Sequence, residues 1–247
     1  MSDIIYGRNT LIEAFKSGRS IEKVFMLNTI RGELEIQIRK ECKNNNIPLA
    51  KVPEIKLKEL AGQHAVHQGI VAIIPAITYV DYRQLIQQSV NSDRTPLIVV
   101  IDSVTDVRNI GAIARSAYFF GAHGLIISGN TSGRVNEEAV KASAGALLQL
   151  PVARAGSIYE LISDLQASGI IVAATSLTKS IPVSTCDLTE SVAIILGSEG
   201  AGLHYKVLEI VDYSIEIPAV NVFDSLNVSV AAGILLYETA RQRTQVK

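Results

Sequence analysis

Apolar residues in the first 75 positions fall into short runs and helically spaced sets, a pattern that predicts a compact α/β module. The strand-like runs are 21–27, 47–52 and 70–74, and Pro75 closes the last of them. Helical spacing predicts helices over 10–17, 34–43 and 55–60. Asn9 fits the N-cap of the first helix, because its short polar side chain can accept a hydrogen bond from the first turn.

From residue 97 onward, short apolar strands alternate with helical segments. The predicted strands are 97–101, 124–127, 170–174, 192–196 and 214–217. The predicted helices are 110–120, 137–147 and 159–166. Continuous apolar strands separated by helices are typical of a parallel sheet with both faces covered. In such sheets ligands bind beyond the carboxyl ends of the strands, so chemistry is expected in the loops there.

The chain is therefore expected to be an α/β protein with two domains. A small N-terminal α/β domain is placed at 1–76 and a linker at 77–95, which contains a short helix over 82–90. The larger parallel-sheet α/β domain is placed at 96–247. The chain shows neither an internal repeat nor a low-complexity tract.

Composition narrows the class of protein further. The 247 residues are 48% hydrophobic and 19% charged, which excludes disorder, collagen and coiled coil. No apolar run approaches the length of a membrane span, and the first residues do not resemble a signal peptide, so we expect a cytoplasmic location. Two separated cysteines, Cys42 and Cys186, predict reduced thiols rather than a disulfide framework or a zinc site.

The charge distribution is uneven although the net charge is only −1. Residues 1–78 have 11 Lys and Arg against 8 Asp and Glu, a balance of +3, whereas the remainder has a balance of −4. A basic front segment is compatible with a polyanionic partner, and equally with two ordinary solvated surfaces.

Several well-known sites are missing from the sequence. There is no G-x-x-x-x-G-K-[ST] loop, no G-x-G-x-x-G after the first strand of the large domain and no G-x-S-x-G elbow. These absences argue against a P-loop NTPase, a nicotinamide-dependent dehydrogenase and a serine hydrolase. His64 and His67 have too few neighbouring ligands to predict a metal site.

The first of three candidate loops contains Asn109, Gly111 and Arg115. Asn109 is expected to cap the following helix. Gly111 lies one turn before Arg115, so it is expected to leave that helix face open to another molecule. The guanidinium of Arg115 suits a phosphate or a developing oxyanion. The alternative is a capped helix with an ordinary solvated arginine.

The second loop is Gly197-Ser198-Glu199-Gly200-Ala201-Gly202, in which glycines would let a ligand approach the backbone. The alternative there is a tight turn with an exposed glutamate. In the third loop, Ser225 resembles an N-cap and Asn227 would lie in the first helical turn, facing a ligand. A capped amphipathic C-terminal helix ending near Arg241 explains the same residues without a ligand.

Taken together, the three loops resemble the ordered motifs of the SpoU (TrmH) family of RNA 2′-O-ribose methyltransferases. The motifs are Asn109-x-Gly111-x3-Arg115, then Leu196-Gly197-Ser198-Glu199-Gly200-x-Gly202, then Ile217-Pro218-x6-Ser225-Leu226-Asn227-Val228-Ser229. The N-terminal stretches Tyr6-Gly7-Arg8-Asn9, Ile21–Phe25 and His67-Gln68-Gly69-Ile70 resemble the substrate-binding domain of RlmB-type members. The resemblance covers nearly the whole chain.

The resemblance implies a deep trefoil knot in the C-terminal domain, a homodimer whose active site is completed across the interface, and S-adenosylmethionine as cofactor. It assigns catalytic or RNA-contacting roles to Asn109, Arg115, Glu199, Ser225 and Asn227. It assigns cofactor contacts to Thr175, Gly197, Ile217 and Leu226. Asn221 stands where family members commonly have glycine, a departure that bears on cofactor affinity.

The expected activity is methyl transfer from S-adenosylmethionine to a ribose 2′-hydroxyl, with a guanosine of large-subunit (23S) ribosomal RNA as the expected target. Two alternatives stay open: a transfer-RNA 2′-O-methyltransferase, and a non-catalytic RNA-binding or ribosome-assembly protein with the same fold. We expect ribosomal RNA and a second copy of the chain as partners, and neither a membrane nor a metal.

Overall fold

The computed structural model describes residues 4–17, 20–129, 132–133, 135–198, 200–221 and 225–245. The chain divides into two compact units, Met1–Thr78 and Tyr79–Lys247, which are called unit 1 and unit 2 below. Within the described residues, no helix is long and apolar enough to cross a membrane.

Unit 1 is a four-stranded sheet covered by three helices. Its elements are β1 Ile4–Tyr6, α1 Arg8–Lys16, β2 Lys23–Leu27, α2 Glu33–Asn44, β3 Leu49–Val52, α3 Glu54–Ala61 and β4 Ile70–Ile73. The strand order is β1-β4-β2-β3, with β4 antiparallel to both neighbours and β2 parallel to β3. Its core is built from alternate strand residues and inward helix positions, including Leu11, Val24, Met26, Ile38 and Ile70.

Three of these strands and all three helices were predicted from the sequence, whereas β1 was not, and the cap of α1 lies at a different residue from the predicted one. Strand β1 has only three residues, and only its pairing with β4 defines it. The N-cap of α1 is Gly7, at φ 95°, and Asn9 lies inside the helix. A glycine is favoured at this N-cap because residues that carry a side chain rarely adopt a positive φ.

Unit 2 alternates strands and helices. Its elements are α4 Tyr82–Val90, β5 Leu97–Asp102, α5 Val107–Phe119, β6 Gly124–Ser128, α6 Glu137–Ala142, β7 Val152–Ala155, α7 Ile158–Ala167, β8 Ile171–Thr175, β9 Ile181–Pro182, β10 Val192–Leu196, α8 Tyr205–Leu208, β11 Tyr213–Glu216 and α9 Val228–Gln245. Short 3-10 turns occur at Ala146–Leu148 and Val183–Thr185.

The seven strands form a parallel sheet in the order β7-β6-β5-β10-β8-β11-β9. Every residue of β6 and β10 is buried, as expected for strands covered on both faces. The α/β fold predicted from the pattern is confirmed. The knot that the resemblance implies stays a prediction.

Three elements of unit 2 were not predicted from the sequence, and their local patterns explain why. Strand β7 contains Arg154, which interrupts its apolar run, and β9 has only two residues. Helix α8 has a single turn. The segment 77–95, interpreted as a linker, contains α4, which packs against β7 within unit 2. The assignment of domain roles to the two parts of the chain stays a prediction.

The last turn of α9 is anchored to the start of the sheet by Arg243. Its guanidinium donates to the carbonyl oxygens of Thr95, Pro96, Leu188 and Glu190 at 2.6 to 3.0 Å. Burial lowers the pKa of Arg243 from its usual value. The C-terminal helix is therefore fastened to the segments that lead into β5 and β10. It extends to Gln245 rather than ending near Arg241.

Candidate functional site

The predicted loops meet at the carboxyl edge of the unit 2 sheet. Strands β5, β10, β8 and β11 are consecutive neighbours, and their carboxyl ends are Asp102, Leu196, Thr175 and Glu216. Because all four strands are parallel, the loops that follow them emerge at the same edge. The first, second and third sequence motifs follow β5, β10 and β11 respectively.

A direct side-chain contact joins the first motif to the third. The Nδ2 of Asn227 donates to Oδ1 of Asn109 at 3.2 Å, across 118 residues of sequence. The Oδ1 of Asn227 accepts from the Ser229 amide at 2.9 Å, from the Ser229 hydroxyl at 2.6 Å and from the Val230 amide at 3.4 Å. These bonds fix the orientation of the amide, with its oxygen on α9 and its nitrogen on Asn109.

Both predicted N-caps at this edge are wrong. The N-cap of α5 is Asp106, whose carboxylate accepts from the Arg108 amide at 2.8 Å. A carboxylate is favoured there because it also interacts with the positive end of the helix dipole. Helix α9 begins at Val228, and Asn227 rather than Ser225 accepts from its first-turn amides. Because Asp106 caps α5, the side chain of Asn109 is not used for capping, and it accepts the hydrogen bond from Asn227.

Arg115 is exposed on α5 and has neither a hydrogen bond nor an ion pair within the described part of the chain. The expectation that Gly111 leaves the same helix face open is wrong. A Cβ built on Gly111 would lie 2.4 Å from the Ala139 carbonyl oxygen and 2.7 Å from the Ala142 Cβ. The glycine instead allows α6 to pack closely against α5, which holds the helix that carries Arg115.

The glycines of the second motif allow the loop to close on itself. Ser198 and Gly202 exchange two main-chain hydrogen bonds at 3.0 and 3.2 Å, with Gly200 at φ 88° and Gly202 at φ 65°. A Cβ built on Gly197 would lie 2.4 Å from the Gly202 carbonyl carbon. Gly197 is therefore required for loop closure, which adds a structural reason to the role that the resemblance implies. Glu199 lies outside the described residues.

The remaining residues assigned to the cofactor lie at the carboxyl ends of two neighbouring strands, β8 and β11. Thr175 is half-buried and donates from Oγ1 to the Ile195 carbonyl at 3.3 Å, which leaves its oxygen lone pairs available. Ile217 is half-buried and Leu226 is 49% exposed. Apolar side chains beside main-chain donors and acceptors suit an adenine ring, whose faces are apolar and whose edge forms hydrogen bonds. These residues fit S-adenosylmethionine.

An apolar patch that was not predicted from the sequence lies beside Arg115. Tyr118 and Phe119, three and four positions further along α5, are 50% and 80% exposed. The ring of Phe120 lies 5.0 Å from that of Phe119 and 6.3 Å from that of Tyr237 on α9. The signal was available in the sequence, since residues three and four apart share a helix face.

The pKa values of two carboxyl groups near this edge are shifted by their surroundings. The Arg108 guanidinium lowers the pKa of the Asp106 carboxyl, which keeps the cap ionised. Burial raises the pKa of Asp102 at the end of β5. No cluster of three or more potential metal ligands occurs among the residues that the structure describes.

Two family models match the chain. The SpoU rRNA Methylase family matches residues 96–237, and the model described as RNA 2′-O ribose methyltransferase substrate binding matches residues 4–80. A Bacillus subtilis (strain 168) protein, YacO, named as a TrmH family tRNA/rRNA methyltransferase, is 33% identical over 99% of this chain and 97% of its own length. A Staphylococcus haemolyticus relative with the same family name is 34% identical over 100% of this chain and 98% of its own.

Solved structures agree with the sequence relatives. The SpoU methyltransferase AviRb from Streptomyces viridochromogenes, in complex with AdoMet, is 25% identical, with a TM-score of 0.62 over 98% of this chain and 90% of its own. An AdoMet-bound rRNA methyltransferase from Sinorhizobium meliloti is 27% identical, with a TM-score of 0.61 over 96% of this chain and 86% of its own.

The fold, the clustered loops and these relatives define the protein as an RNA methyltransferase that uses S-adenosylmethionine. The chain belongs to the SpoU (TrmH) family.

Proposed function

We propose that the chain transfers a methyl group from S-adenosylmethionine to a ribose 2′-hydroxyl of RNA, at a guanosine of large-subunit (23S) ribosomal RNA. The observation that carries the proposal is the Asn227–Asn109 hydrogen bond, which joins two distant motifs beside the loops assigned to the cofactor. The description of the substrate-binding family model, which names RNA 2′-O ribose methyltransferases, supports the chemistry.

Arg115 is assigned to the RNA phosphate next to the target ribose and to the negative charge that develops on the 2′-oxygen. Its fork of N–H donors matches such oxygens, and it is exposed without a hydrogen bond or ion pair in the described ranges. A guanidinium retains its proton at neutral pH, so stabilisation of charge is a better role for it than proton removal. A hydrogen-bond donor to a developing oxyanion contributes about 2.7–4 kcal/mol to lowering a barrier.

Asn109 and Asn227 are assigned to holding the ribose and its phosphate at the correct distance. Their mutual hydrogen bond fixes both amides before RNA binds, so less ordering is needed when the reactants meet. Ser225 is exposed, two residues before Asn227, and is assigned to RNA contact. Glu199 is assigned to the same group from its motif, and lies outside the described residues.

Thr175, Gly197, Ile217 and Leu226 would hold S-adenosylmethionine. The chemistry that the cofactor supplies when bound is an electrophilic methyl group on a sulfonium centre. Ile217 and Leu226 would contact the adenine with apolar atoms, and the Thr175 hydroxyl would accept a hydrogen bond from it. Gly197 would keep the second loop closed beside it.

A homodimer is part of the proposal, with Tyr118, Phe119 and Tyr237 in its interface. An aromatic side chain that is 80% exposed, such as Phe119, is costly to leave in water and is enriched in protein interfaces. Because Arg115 lies on the same face of α5, association there would bring it close to the partner's site. Substituting Phe119 with Asp should therefore convert a dimer into monomers in sedimentation, with loss of methyl transfer.

The decisive experiment is transfer of labelled methyl groups to unmodified large-subunit ribosomal RNA, with transfer RNA and an Arg115→Ala variant in parallel. We expect label in ribosomal RNA that makes one phosphodiester resistant to alkali and that is lost in the variant. Label in transfer RNA alone would retain the chemistry and reject the ribosomal substrate.

Absence of label from both RNAs, together with absence of S-adenosylmethionine binding by calorimetry, would favour the non-catalytic RNA-binding protein instead. A cytoplasmic location remains part of the proposal, and is tested by fractionation.

A further inference from the structure

Three loops of unit 1 meet at one edge of its sheet, at residues 6–8, 28–31 and 66–69, which we call the loop edge. Strands β1 and β2 end at this edge and β4 begins there. The Gly7 amide donates to the Ile70 carbonyl at 3.1 Å, and the Leu27 amide donates to the Gly69 carbonyl at 2.8 Å. A Cβ built on Gly69 would lie 2.8 Å from the Ile30 Cδ1, so the loops form one continuous surface.

Two exposed arginines on the loop edge are held by main-chain carbonyl groups. Arg8 donates from Nε to the Gln68 carbonyl at 3.4 Å. Arg31 donates from Nη1 to the Asn28 carbonyl at 2.5 Å and to the Ile30 carbonyl at 2.8 Å. Among the described residues neither has a carboxylate partner, so both charges are uncompensated. Each guanidinium is oriented while most of its N–H donors are still available to a ligand.

A buried histidine fixes the turn that orients Arg8. His67 is 9% exposed, and its Nδ1 accepts from the Gly69 amide at 3.0 Å, so its ring proton is on Nε2. The next residue, Gln68, is held at φ 51° and accepts from the Arg8 amide through Oε1 at 3.1 Å. His67 is therefore a positioning residue for the acceptor that holds Arg8.

The loop edge also contains an exposed aromatic residue, two positions before Arg8. Tyr6 ends β1, directly before Gly7 and Arg8, and is 42% exposed. Aromatic rings stack on unpaired bases, and arginine forks match phosphate oxygens. The combination favours single-stranded RNA over an acidic peptide, because a peptide would use the cations and leave the ring without a role.

We propose that the loop edge binds a single-stranded segment of the RNA substrate, with Arg8 and Arg31 on phosphates and Tyr6 stacked on a base. This inference rests on the proposed function, and it assigns RNA contacts to particular residues of unit 1. The excess of positive charge in residues 1–78 agrees with it.

The test compares the full-length variants Arg8→Gln and Arg31→Gln with Lys16→Gln. Lys16 is a matched control, because it loses the same charge from the opposite end of α1, where it pairs with Glu13 at 3.2 Å. The probes are unmodified large-subunit ribosomal RNA and transfer RNA, with binding measured at several salt concentrations. Each arginine variant should bind RNA about 3- to 10-fold more weakly and reduce the salt slope by about 1.

Methyl-transfer kinetics on the same variants separate binding from chemistry. KM for RNA should rise in the arginine variants, with kcat and S-adenosylmethionine affinity within about twofold of wild type. Tyr6→Leu should weaken RNA binding by about threefold or more without changing the salt slope, because a stacked base carries no charge. Thermal unfolding checks that each variant is folded. If Arg8→Gln disturbs α1, Arg31→Gln still tests the proposal, because Arg31 lies outside any helix.

Two outcomes distinguish a failure of the loop-edge proposal from a failure of the proposed function. If the arginine variants match Lys16→Gln in affinity and salt slope while wild type methylates RNA, the loop edge is not an RNA site and the proposed function stands. If wild type methylates neither RNA but the arginine variants still bind RNA more weakly than the control, the loop edge stands and the proposed function fails.

Discussion

The two units hold their exposed arginines differently. In unit 1, Arg8 and Arg31 are oriented by main-chain carbonyls before any ligand arrives. In unit 2, Arg115 has no hydrogen bond or ion pair within the described ranges, and only the helix that carries it is fixed. Under the proposed function, unit 1 is organised for RNA recognition before RNA binds, whereas Arg115, the proposed catalytic residue, is left for RNA to engage.

Arg115→Lys should produce the largest effect, because it keeps the charge but loses the fork of donors. We expect kcat to fall about 100-fold or more, by analogy with loss of one donor to a developing oxyanion, with little change in S-adenosylmethionine affinity. Single-turnover methyl transfer measures it. Arg8→Lys should change kcat by less than about twofold, and near-normal turnover in Arg115→Lys would remove the contrast between the units.

Arg243→Met tests an arginine that contrasts with Arg115, because its guanidinium already donates hydrogen bonds to main-chain carbonyl groups. Its loss leaves buried acceptors of Pro96 and Leu188 without their donor, so unfolding should require about 3 kcal/mol less free energy. Urea titration measures the change. Arg241→Met on the same helix should cost about 1 kcal/mol or less, and equal costs for the two would contradict the anchoring role.

Gly111→Ala tests whether α6 holds the helix that carries Arg115. The added methyl would lie 2.4 Å from a main-chain oxygen, so we expect a loss of about 2 kcal/mol in the free energy of unfolding and a lower kcat. Gly156→Ala is the control, because nothing lies within 4 Å of its Cβ position. If both variants were equally stable, the close approach of α6 would be incorrect.

A double-mutant cycle on Asn109 and Asn227 tests the contact between the motifs. Each alanine variant should reduce kcat, and the pair should show a coupling energy of about 1 kcal/mol because the two side chains share one hydrogen bond. Asn227→Ala should also destabilise α9 by about 1 kcal/mol, since it removes the cap. Strict additivity in kcat would show that the contact does not serve catalysis.

The smallest effect is expected from Glu238→Gln, beyond the site. The Arg241 guanidinium, 2.7 Å away, lowers the Glu238 pKa to about 2 from an ordinary 4.5. A lowered pKa in the folded state means that the ionised carboxylate contributes stability above pH 4.5, and that this contribution is lost as pH falls towards 2. The variant should be less stable by about 1 kcal/mol at neutral pH, and the difference should shrink as pH falls below 4.5 and vanish below pH 2.

The repeated pattern of buried strands and helices in unit 2 could be predicted because its central strands β5, β6 and β10 are apolar along nearly their whole length. Strand β10 was predicted with the bounds that it has in the structure, 192–196. Strands β1 and β9 were not readable, because three and two residues carry no periodicity and only pairing with a neighbour defines them. The motif residues were readable because polar and glycine-rich loops interrupt the apolar pattern at strand ends.

The sequence by itself determined the α/β class, the order of the three motifs and the family. Only the tertiary structure decided that Asn227 caps α9 while reaching Asn109, and that Gly111 meets α6 rather than a ligand. The physical reason is the range of the interactions. Burial patterns and loop composition act within a few residues, whereas a contact across 118 residues depends on how whole strands are ordered in the sheet.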